Sequence, residues 1–236
     1  GLLVAPLTAY LPNAAMGGII LLVAYNLIDF HHIKEILSFS KSESAILLTT
    51  FFATIFLELE FAIYLGVLLS LVLFLAKTST PKIPTLAMDA LPDGSRKLIN
   101  IEQKPVKPCP QLKIIRIDMS IYFGSIAHIQ SRISRITDSE QIHHILIVGS
   151  GINFIDLAGA EALVSENNRL RKLGGGIYFV GLKPSVYAFA AKSRFIKKVG
   201  NDHFFDDKRS AIAAIYKRLD KEKCLNCIAQ VYNECQ

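Results

Sequence analysis

The sequence predicts an α-helical transmembrane segment followed by a small α/β domain with a mostly parallel sheet flanked by helices. The first 76 residues carry two lysines and five acidic residues, net −3, whereas the remaining 160 carry 24 bases and 15 acids, net +9. The whole chain is 51% hydrophobic with a mean hydropathy of +0.37, which is apolar for a soluble protein. In the second part, short apolar runs alternate with helical periodicity. These features exclude collagen, a disordered chain and a disulfide-stapled miniprotein.

The first apolar region is predicted to contain parts of two spans. Residues 1–28 carry no charge, but Pro12 lacks an N–H and its ring would interrupt a continuous helix. Crossing about 30 Å of hydrocarbon takes roughly 20 helical residues. We therefore predict the end of one span over residues 1–11 and a second span over residues 13–29. Because Gly1 lies within apolar sequence, we expect the chain to be the tail end of a longer polypeptide.

The second apolar region is predicted to form a hairpin. Residues 29–44 mix charged residues with spaced apolar ones and predict a short helix lying at the membrane interface. Residues 45–76 are interrupted only by Glu58 and Glu60, and as one helix they would reach about 48 Å. We predict a bend within residues 57–61, where the two carboxylates form a solvated turn or a local contact; a proton or ion site is the alternative. Lysines at both ends favour the cytoplasmic face.

The soluble part is predicted to begin after a proline-rich segment. Residues 77–111 contain six prolines and predict a linker and entry segment that contributes one edge strand. The α/β domain is predicted over residues 112–222, and a cysteine-containing tail over residues 223–236. Strands are predicted at residues 112–118, 120–124, 143–148 and 176–180, separated by helical periods. Asp156, and either Asp206 or Asp207, stand where helix N-caps are expected.

Several segments, in their order, carry a family resemblance. They are APLTAYLP, AYNLIDF, SKSESAILLTTFFATIFLELEFAIYLGVLLSLVLFL, IRIDMSIYFGSIAHI, INFIDLAGAEAL, VGLKPSV and LDKEKCLNCIAQVYNECQ. Together they resemble the C-terminal portion of the SulP family of anion transporters, the sulfate-permease type, and the second half resembles their STAS domain. The resemblance implies the last helices of an inverted repeat, a homodimer, a cytoplasmic STAS domain and no covalent chemistry.

The resemblance also implies the activity and its place. We expect a secondary transporter of sulfate or a related anion in the bacterial inner membrane, with lipid and the transported anion as partners. The substrate site is expected in helices absent from this chain, so no substrate-binding residue is named. A cytosolic protein or a nucleotide at the STAS domain is a further candidate partner. The alternative function is a membrane-anchored STAS regulatory module without transport activity.

Two other function classes are disfavoured by particular residues. Residues 149–151 begin like a dinucleotide-binding turn, but Phe154 stands where the third glycine belongs, which argues against an anchored reductase. The basic balance suggests nucleic acid, yet a solvated face or anionic headgroups suit a tethered domain better. The residues concerned are Lys192, Arg194, Lys197 and Lys198.

The segment FIDLAGAEAL resembles the strand-to-helix corner of STAS domains. Anti-sigma-factor antagonists of this fold carry a phosphorylated Ser or Thr directly after the aspartate, but here that residue is Leu157. Leucine has no hydroxyl, so a phosphoserine switch at this position is excluded. We expect Asp156 to be an N-cap. The corner formed by Asp156, Leu157 and Gly159 is the candidate partner-docking surface.

The cysteines form the remaining candidate site. Cys224, Cys227 and Cys235 make a C-x2-C-x7-C pattern, one thiolate short of a closed tetrahedral zinc site that Cys109 could complete. We predict reduced thiols with no metal and no cofactor, and keep metal or redox chemistry as the alternative. The pair at 143–144 is predicted to be structural, since neighbouring side chains diverge.

Overall fold

The computed structural model describes residues 13–90, 96–227, 231–232 and 235. The chain divides into two compact units, with the boundary between Leu73 and Phe74. The first unit is helical, and the second contains every strand of the described residues. The span predicted over residues 1–11 and the break at Pro12 lie outside the described residues.

Four helices make up the N-terminal region. They are α1 (Asn13–Leu27), α2 (Phe30–Phe39), α3 (Lys41–Phe56) and α4 (Leu59–Ser79). By length and composition, the helical stretches Ala14–Phe39 and Leu59–Ser79 are sufficient to cross a membrane. Their apolar side chains point outward instead of into a core, and Ala62 is the one buried residue among the described residues of α4.

The helix predicted over residues 29–44 is two elements in the structure. Asp29 caps α2 by accepting a hydrogen bond from the backbone N–H of His32 at 2.9 Å. Ser40 then ends α2 and starts α3, because its backbone is extended and its hydroxyl accepts from the backbone N–H of Glu43 at 3.3 Å. A serine that can cap the next helix therefore stops the first one at Phe39. The interfacial position of α2 stays a prediction.

The hairpin bend lies where the apolar run is too long for one crossing. Helix α3 ends at Phe56 and α4 begins at Leu59, within the stretch predicted to bend. The arms are 16 and 21 residues long, longer than the predicted arms of about 13 and 16. They are longer because α3 already starts at the polar Lys41 and α4 continues past Lys77, beyond the apolar limits from which the arms were predicted.

Among the described residues of the second unit, eight strands form two sheets. They are β1 (Thr85–Ala90), β2 (Arg96–Asn100), β3 (Leu112–Arg116), β4 (Met119–Ile121), β5 (His144–Val148), β6 (Ile152–Ile155), β7 (Gly176–Val180) and β8 (Phe204–Phe205). The larger sheet has the order β2-β1-β3-β5-β7-β8. Its β3, β5, β7 and β8 pair in parallel, whereas β1 is antiparallel to both β2 and β3. The predicted fold class is confirmed.

The proline-rich segment contributes two strands to the larger sheet, not one. Strand β1 pairs with β3 in a register that places Leu86 opposite Ile114. Leu86 and Ala87 are buried, so this segment belongs to the hydrophobic core. The second strand was not predicted because the segment is rich in proline, which interrupts strands. The prolines that the structure describes lie outside β1 and β2 and flank them.

The strand predicted over residues 120–124 is also corrected. Strand β4 ends at Ile121, and Phe123 and Gly124 already belong to the following helix. Strand β4 pairs in parallel with β6 in a separate two-stranded sheet and not with β3. Met119 has a positive φ of 95°, which turns the chain out of the larger sheet after β3.

The larger sheet is covered on both faces. Helices α5 (Phe123–Ser134), α6 (Leu157–Lys172), α7 (Pro184–Lys192) and α8 (Phe195–Val199) pack on one face, and α9 (Lys208–Tyr216) and α10 (Lys221–Leu225) on the other. Strand β5 shows the division, since Ile145 and Ile147 join one hydrophobic cluster and Leu146 and Val148 join the other. Burial on both faces explains the continuous apolar runs of the central strands.

Candidate functional site

The predicted docking corner lies where two parallel strands run into helices. Strand β4 leads into α5 at Phe123, and β6 leads through Asp156 into α6 at Leu157. Because β4 and β6 are parallel, the first turns of both helices lie at the same edge of the small sheet. The corner is therefore built from two segments that are more than thirty residues apart in sequence.

Asp156 joins the two segments. One carboxylate oxygen accepts a hydrogen bond from the backbone N–H of Gly159 at 2.6 Å, so the predicted N-cap is confirmed. The other accepts from the backbone N–H of Phe123 at 3.0 Å, and the backbone N–H of Asp156 donates to the carbonyl of Ile121 at 3.0 Å. A single side chain thus satisfies free N–H groups at two helix starts.

Gly159 allows the close approach of α6 to β4. A Cβ placed on this residue would lie 2.7 Å from the carbonyl oxygen of Ile121 and 2.9 Å from its Cγ2. Gly159 is buried, and Asp156 is bonded on both carboxylate oxygens. Of the three predicted docking residues, only Leu157 presents a free side chain, which is 58% exposed.

Tyr122 connects the corner to the end of helix α4. Its hydroxyl donates a hydrogen bond to the hydroxyl of Thr78, with 3.0 Å between the oxygens. Its backbone N–H donates to the hydroxyl of Ser125 at 3.1 Å, which fixes the first turn of α5. Its ring lies 6.2 Å from the ring of Phe154. The buried Ser125 hydroxyl is itself bonded to backbone carbonyls.

Four large apolar side chains are exposed on the two segments that build this corner, β4 with the start of α5 and β6 with the start of α6. Phe123 is 82% exposed, Leu157 58%, Phe154 52% and Met119 39%. We call these four residues the apolar corner. Sequence reasoning found Leu157 but missed the other three, because an exposed and a buried phenylalanine look alike in a strand-to-helix segment. The available signal was that Phe123 and Leu157 each directly follow the N-cap residue of a helix.

The glycines at 149–151 serve packing. They form a short 3₁₀ turn between β5 and β6. A Cβ on Gly149 would lie 2.4 Å from Cδ2 of Leu182, and one on Gly151 would lie 2.5 Å from a carboxylate oxygen of Asp118. The close approach of neighbouring side chains accounts for both glycines without a bound phosphate.

A cleft of about 660 Å³ lies at the carboxyl ends of β3, β5 and β7. Ligands of open α/β sheets often bind at such an edge. Here two of the charged lining groups are already engaged: Arg116 makes two hydrogen bonds to Asp118, at 2.6 and 2.9 Å, and Asp207 caps α9. The candidate nucleotide or protein partner therefore stays a prediction.

The four cysteines converge although they are far apart in sequence. Cys109 and Cys224 are buried in the hydrophobic cluster on the α9 side of the sheet, and Cys235 packs against it. All four are free thiols. Burial raises the pKa of the Cys109 thiol and that of Cys224. Within the described residues, which include all four cysteines, no group of three or more His, Cys, Asp or Glu side chains is placed to hold a metal ion.

A buried polar network missed by the sequence reasoning lies near the amino ends of β5 and β7. His203 donates through Nδ1 to the carbonyl of Ile177 at 2.7 Å, and Arg218 contacts Nε2 of His203 at 3.1 Å and the Tyr178 hydroxyl at 3.3 Å. Nδ1 of His144 lies 3.3 Å from the same hydroxyl. Burial, with Arg218 nearby, lowers the pKa of His144 to about 4 and also lowers that of His203.

This network is structural. Burial disfavours the imidazolium form, and the adjacent guanidinium repels it, so both histidines are neutral at pH 7. Arg218 is in turn paired with Asp202, outside the core. The charged and polar groups satisfy one another, and His144 is buried where its neighbour His143 is partly exposed. The predicted divergence of the 143–144 pair is thus confirmed.

Apolar helices followed by a mixed α/β/α sandwich define a membrane-attached α/β domain protein. Models of two families match this chain in that order: the sulfate permease family over residues 2–50 and the STAS domain over residues 103–229. The chain therefore belongs to the STAS domain family, and its N-terminal part is similar to the sulfate permease family.

Individual relatives agree with this assignment. The chain is 27% identical over 223 residues to high affinity sulfate transporter 2 of Stylosanthes hamata, covering 90% of this chain and 33% of the relative. It is 27% identical over 232 residues to sulfate transporter 1.3 of Arabidopsis thaliana, covering 94% of this chain and 35% of the relative. The chain spans about a third of the length of the curated relatives it matches.

A solved structure shares the fold. The murine Solute Carrier 26 family member A9 anion transporter, in its inward-facing state, matches with a TM-score of 0.70 at 21% identity. The match covers 83% of this chain and 32% of the transporter. At this identity the match establishes the fold alone.

Proposed function

We propose that this chain is the C-terminal part of a secondary transporter of sulfate or a related anion, with a regulatory STAS domain. The observation that carries the proposal is the joint match to the permease and STAS families in one chain, in that order. The relatives named above as sulfate transporters support sulfate as the first anion to test. We assign no substrate-binding residue within this chain and propose that it performs no covalent chemistry.

We propose that the transporter lies in the bacterial inner membrane with the STAS domain on the cytoplasmic side. The hairpin of α3 and α4 starts and ends at lysines: Lys41 opens α3, and Lys77 lies in the last turn of α4. In sequence, Lys34 on α2 precedes the hairpin and Lys82 follows it. Bases concentrate on the cytoplasmic side of membrane proteins, which supports this orientation.

We further propose that the transporter is a homodimer and that the corner at Asp156, Leu157 and Gly159 is a docking surface. The dimer rests on the family resemblance. The docking role rests on the exposed side chain of Leu157 and its apolar neighbours, with Asp156 and Gly159 holding the backbone in place.

The test is anion uptake by the longer transporter of which we propose this chain to be a part. The protein is reconstituted in proteoliposomes, and uptake of radiolabelled sulfate, bicarbonate and dicarboxylate is measured under proton, sodium and counter-anion gradients. We expect sulfate or a related anion to be accumulated. Absence of uptake of every anion under every gradient would contradict the proposal and favour a regulatory module without transport.

A matched deletion tests the regulatory role of the STAS domain. The deletion begins at Thr85, because β1 and β2 belong to the sheet and would be left unpaired by a cut at residue 112. We expect the deleted protein to insert in the membrane and to show altered uptake. Unchanged uptake would contradict a regulatory STAS domain and leave the transport proposal intact.

A further inference from the structure

Most of the exposed apolar side chains of the α/β domain lie on two adjacent segments, which begin with the paired strands β4 and β6. Among the described residues after Ser79, seven large apolar side chains are exposed, and four of them form the apolar corner. The seven are Met119, Phe123, Phe154, Leu157, Leu173, Tyr187 and Leu225. Apolar groups of this size gain about 25 cal/mol for each Å² removed from water, so a cluster of them marks a contact surface.

The backbone beneath the apolar corner is held in place. Asp156 binds the starts of both α5 and α6, and Gly159 lets α6 pack directly against β4. Phe123 and Leu157 are the first residues of their helices, and both side chains are exposed. They therefore extend from a backbone that hydrogen bonds hold in place.

The apolar corner lies beside the end of a candidate membrane helix. The Tyr122 hydroxyl donates to Thr78, which directly follows Lys77, the first charged residue after the apolar run of α4. Nearby, the carbonyl of Lys82 accepts a hydrogen bond from the backbone N–H of Asp118, next to Met119. Exposed aromatic rings and flanking lysines are thus grouped where α4 leaves its apolar segment.

This combination fits the interface of a bilayer. Phe and Leu side chains of interfacial segments bury at the boundary between headgroups and acyl chains, and lysines near the surface attract anionic lipids. A stable protein interface usually takes about 20 to 30 residues a side, which four side chains do not supply. An already anchored chain, by contrast, needs little added apolar contact to hold a second element at the membrane.

We propose that the apolar corner inserts into the headgroup region of an anionic phospholipid bilayer, with Phe123 as its deepest side chain and Lys77 and Lys82 facing the phosphates. This inference rests on the proposed membrane placement of α4. Lipid would then be the partner that the proposed docking surface of the STAS domain contacts. The contact would fix the orientation of the domain next to the last span.

The natural absence of tryptophan allows a direct test. Phe123→Trp is introduced into the full chain, reconstituted in nanodiscs of phosphatidylcholine and phosphatidylglycerol. Leu225→Trp is the matched control, because Leu225 is 84% exposed and Phe123 82%. Leu225 lies on α10, in the layer on the opposite face of the sheet from α5.

The readout is the environment of the single tryptophan. With Phe123→Trp we expect blue-shifted emission, at least about a two-fold loss of intensity with lipids brominated close to the headgroup, and protection from aqueous iodide. Leu225→Trp should show the reverse pattern. Equal iodide quenching of the two variants would overturn the proposal. So would blue-shifted Phe123→Trp emission that ignores brominated lipid, since a second copy or another protein would then cover the corner.

A third reporter separates this inference from the membrane placement on which it rests. Tyr64→Trp lies in the apolar run of α4 and should be quenched by lipids brominated deep in the acyl chains. If Tyr64→Trp is quenched and Phe123→Trp is not, only the lipid contact of the corner is wrong. If neither variant is quenched, both the membrane placement of α4 and the lipid contact of the corner are wrong.

Discussion

Helices α1 to α4 and the α/β domain contain the same apolar residue types, but the helices expose them and the domain buries them. Phe56 at the end of α3 is 78% exposed, whereas Phe179 in β7 is 1% exposed. Each central strand of the domain is buried on both faces, while α4 buries only Ala62 among its described residues. The domain therefore buries its apolar surface within itself, and the helices need lipid or further protein to cover theirs.

The comparison also explains the apolar corner. It is the part of the α/β domain that resembles the helices, with large apolar side chains directed away from the core. The domain buries most of its other large apolar side chains in its own core and does not need such a surface for stability. The exception therefore points to contact with something outside the domain.

The largest expected effect contrasts the two phenylalanines. Phe179→Ala should lower the free energy of unfolding of the domain by about 3–5 kcal/mol, because it leaves a cavity among stacked aromatic rings. Phe56→Ala should change it by less than about 0.5 kcal/mol. Urea unfolding of the full chain in nanodiscs, followed by near-ultraviolet circular dichroism, measures both. Equal effects would contradict the division between self-buried and lipid-covered apolar surface.

Acid should destabilise the domain through its buried histidines. A folded-state pKa below the unfolded value means that protons bind preferentially to the unfolded chain. The contribution of the neutral histidines to the free energy of unfolding is fully present above about pH 6.5, and it is lost as the pH falls towards 4. Lowering the pKa of His144 from 6.5 to about 4 corresponds to about 3 kcal/mol, at about 1.4 kcal/mol for each pKa unit.

Variants assign this pH dependence to the network. His144→Phe keeps a ring beside Tyr178 and should flatten the curve of unfolding free energy between pH 6.5 and 4. His128→Gln, at an exposed position on α5, is the control and should leave the curve as in the natural chain. An unchanged slope in His144→Phe would show that other groups carry the acid sensitivity.

Two aspartate N-caps are expected to contribute differently to stability. Asp156 caps α6 and also binds Phe123 at the start of α5, whereas Asp207 caps α9 alone. Asp156→Ala should therefore lower the free energy of unfolding by about 2 kcal/mol, and Asp207→Ala should lower it by less. Urea midpoints of the two variants in the full chain decide the order. A larger loss in Asp207→Ala would contradict the joining role of Asp156.

The smallest expected effect concerns the tail cysteines. Elemental analysis of the purified full chain should find well under about one zinc per molecule, since a closed site needs four ligands in place. Cys227→Ser, at a half-buried position, should shift the free energy of unfolding by less than about 0.5 kcal/mol. One equivalent of zinc lost in Cys227→Ser would establish the metal alternative.

Local signals predicted the fold class, the hairpin bend and the N-cap at Asp156. They narrowed the second N-cap to Asp206 or Asp207, of which the structure shows Asp207. The second strand of the entry hairpin was missed, since its pairing with β1 is a non-local event. So was the polar network, which joins His144, Tyr178 and Arg218 from three elements. No local signal marks such partners.

The residues of the apolar corner were predicted only in part, for the same physical reason. The aspartate and glycine of the α6 start are visible as cap and packing signals around residues 156–159. Phe123 reaches the corner because β4 pairs with β6 instead of with β3, and the sequence gives no indication of that choice. The exposure of Phe154 likewise depends on which face of the small sheet is covered.

The central proposal is that the first helices lie in lipid and that the α/β domain is on the same side of the membrane as α2. Lys34→Cys, and separately Cys227 as the only retained natural cysteine, are exposed to a membrane-impermeant maleimide in sealed vesicles of both orientations. The account predicts that both thiols are labelled in inside-out vesicles and neither in sealed right-side-out vesicles. Labelling of the two positions from opposite faces, or recovery of the chain in the soluble fraction, would contradict it.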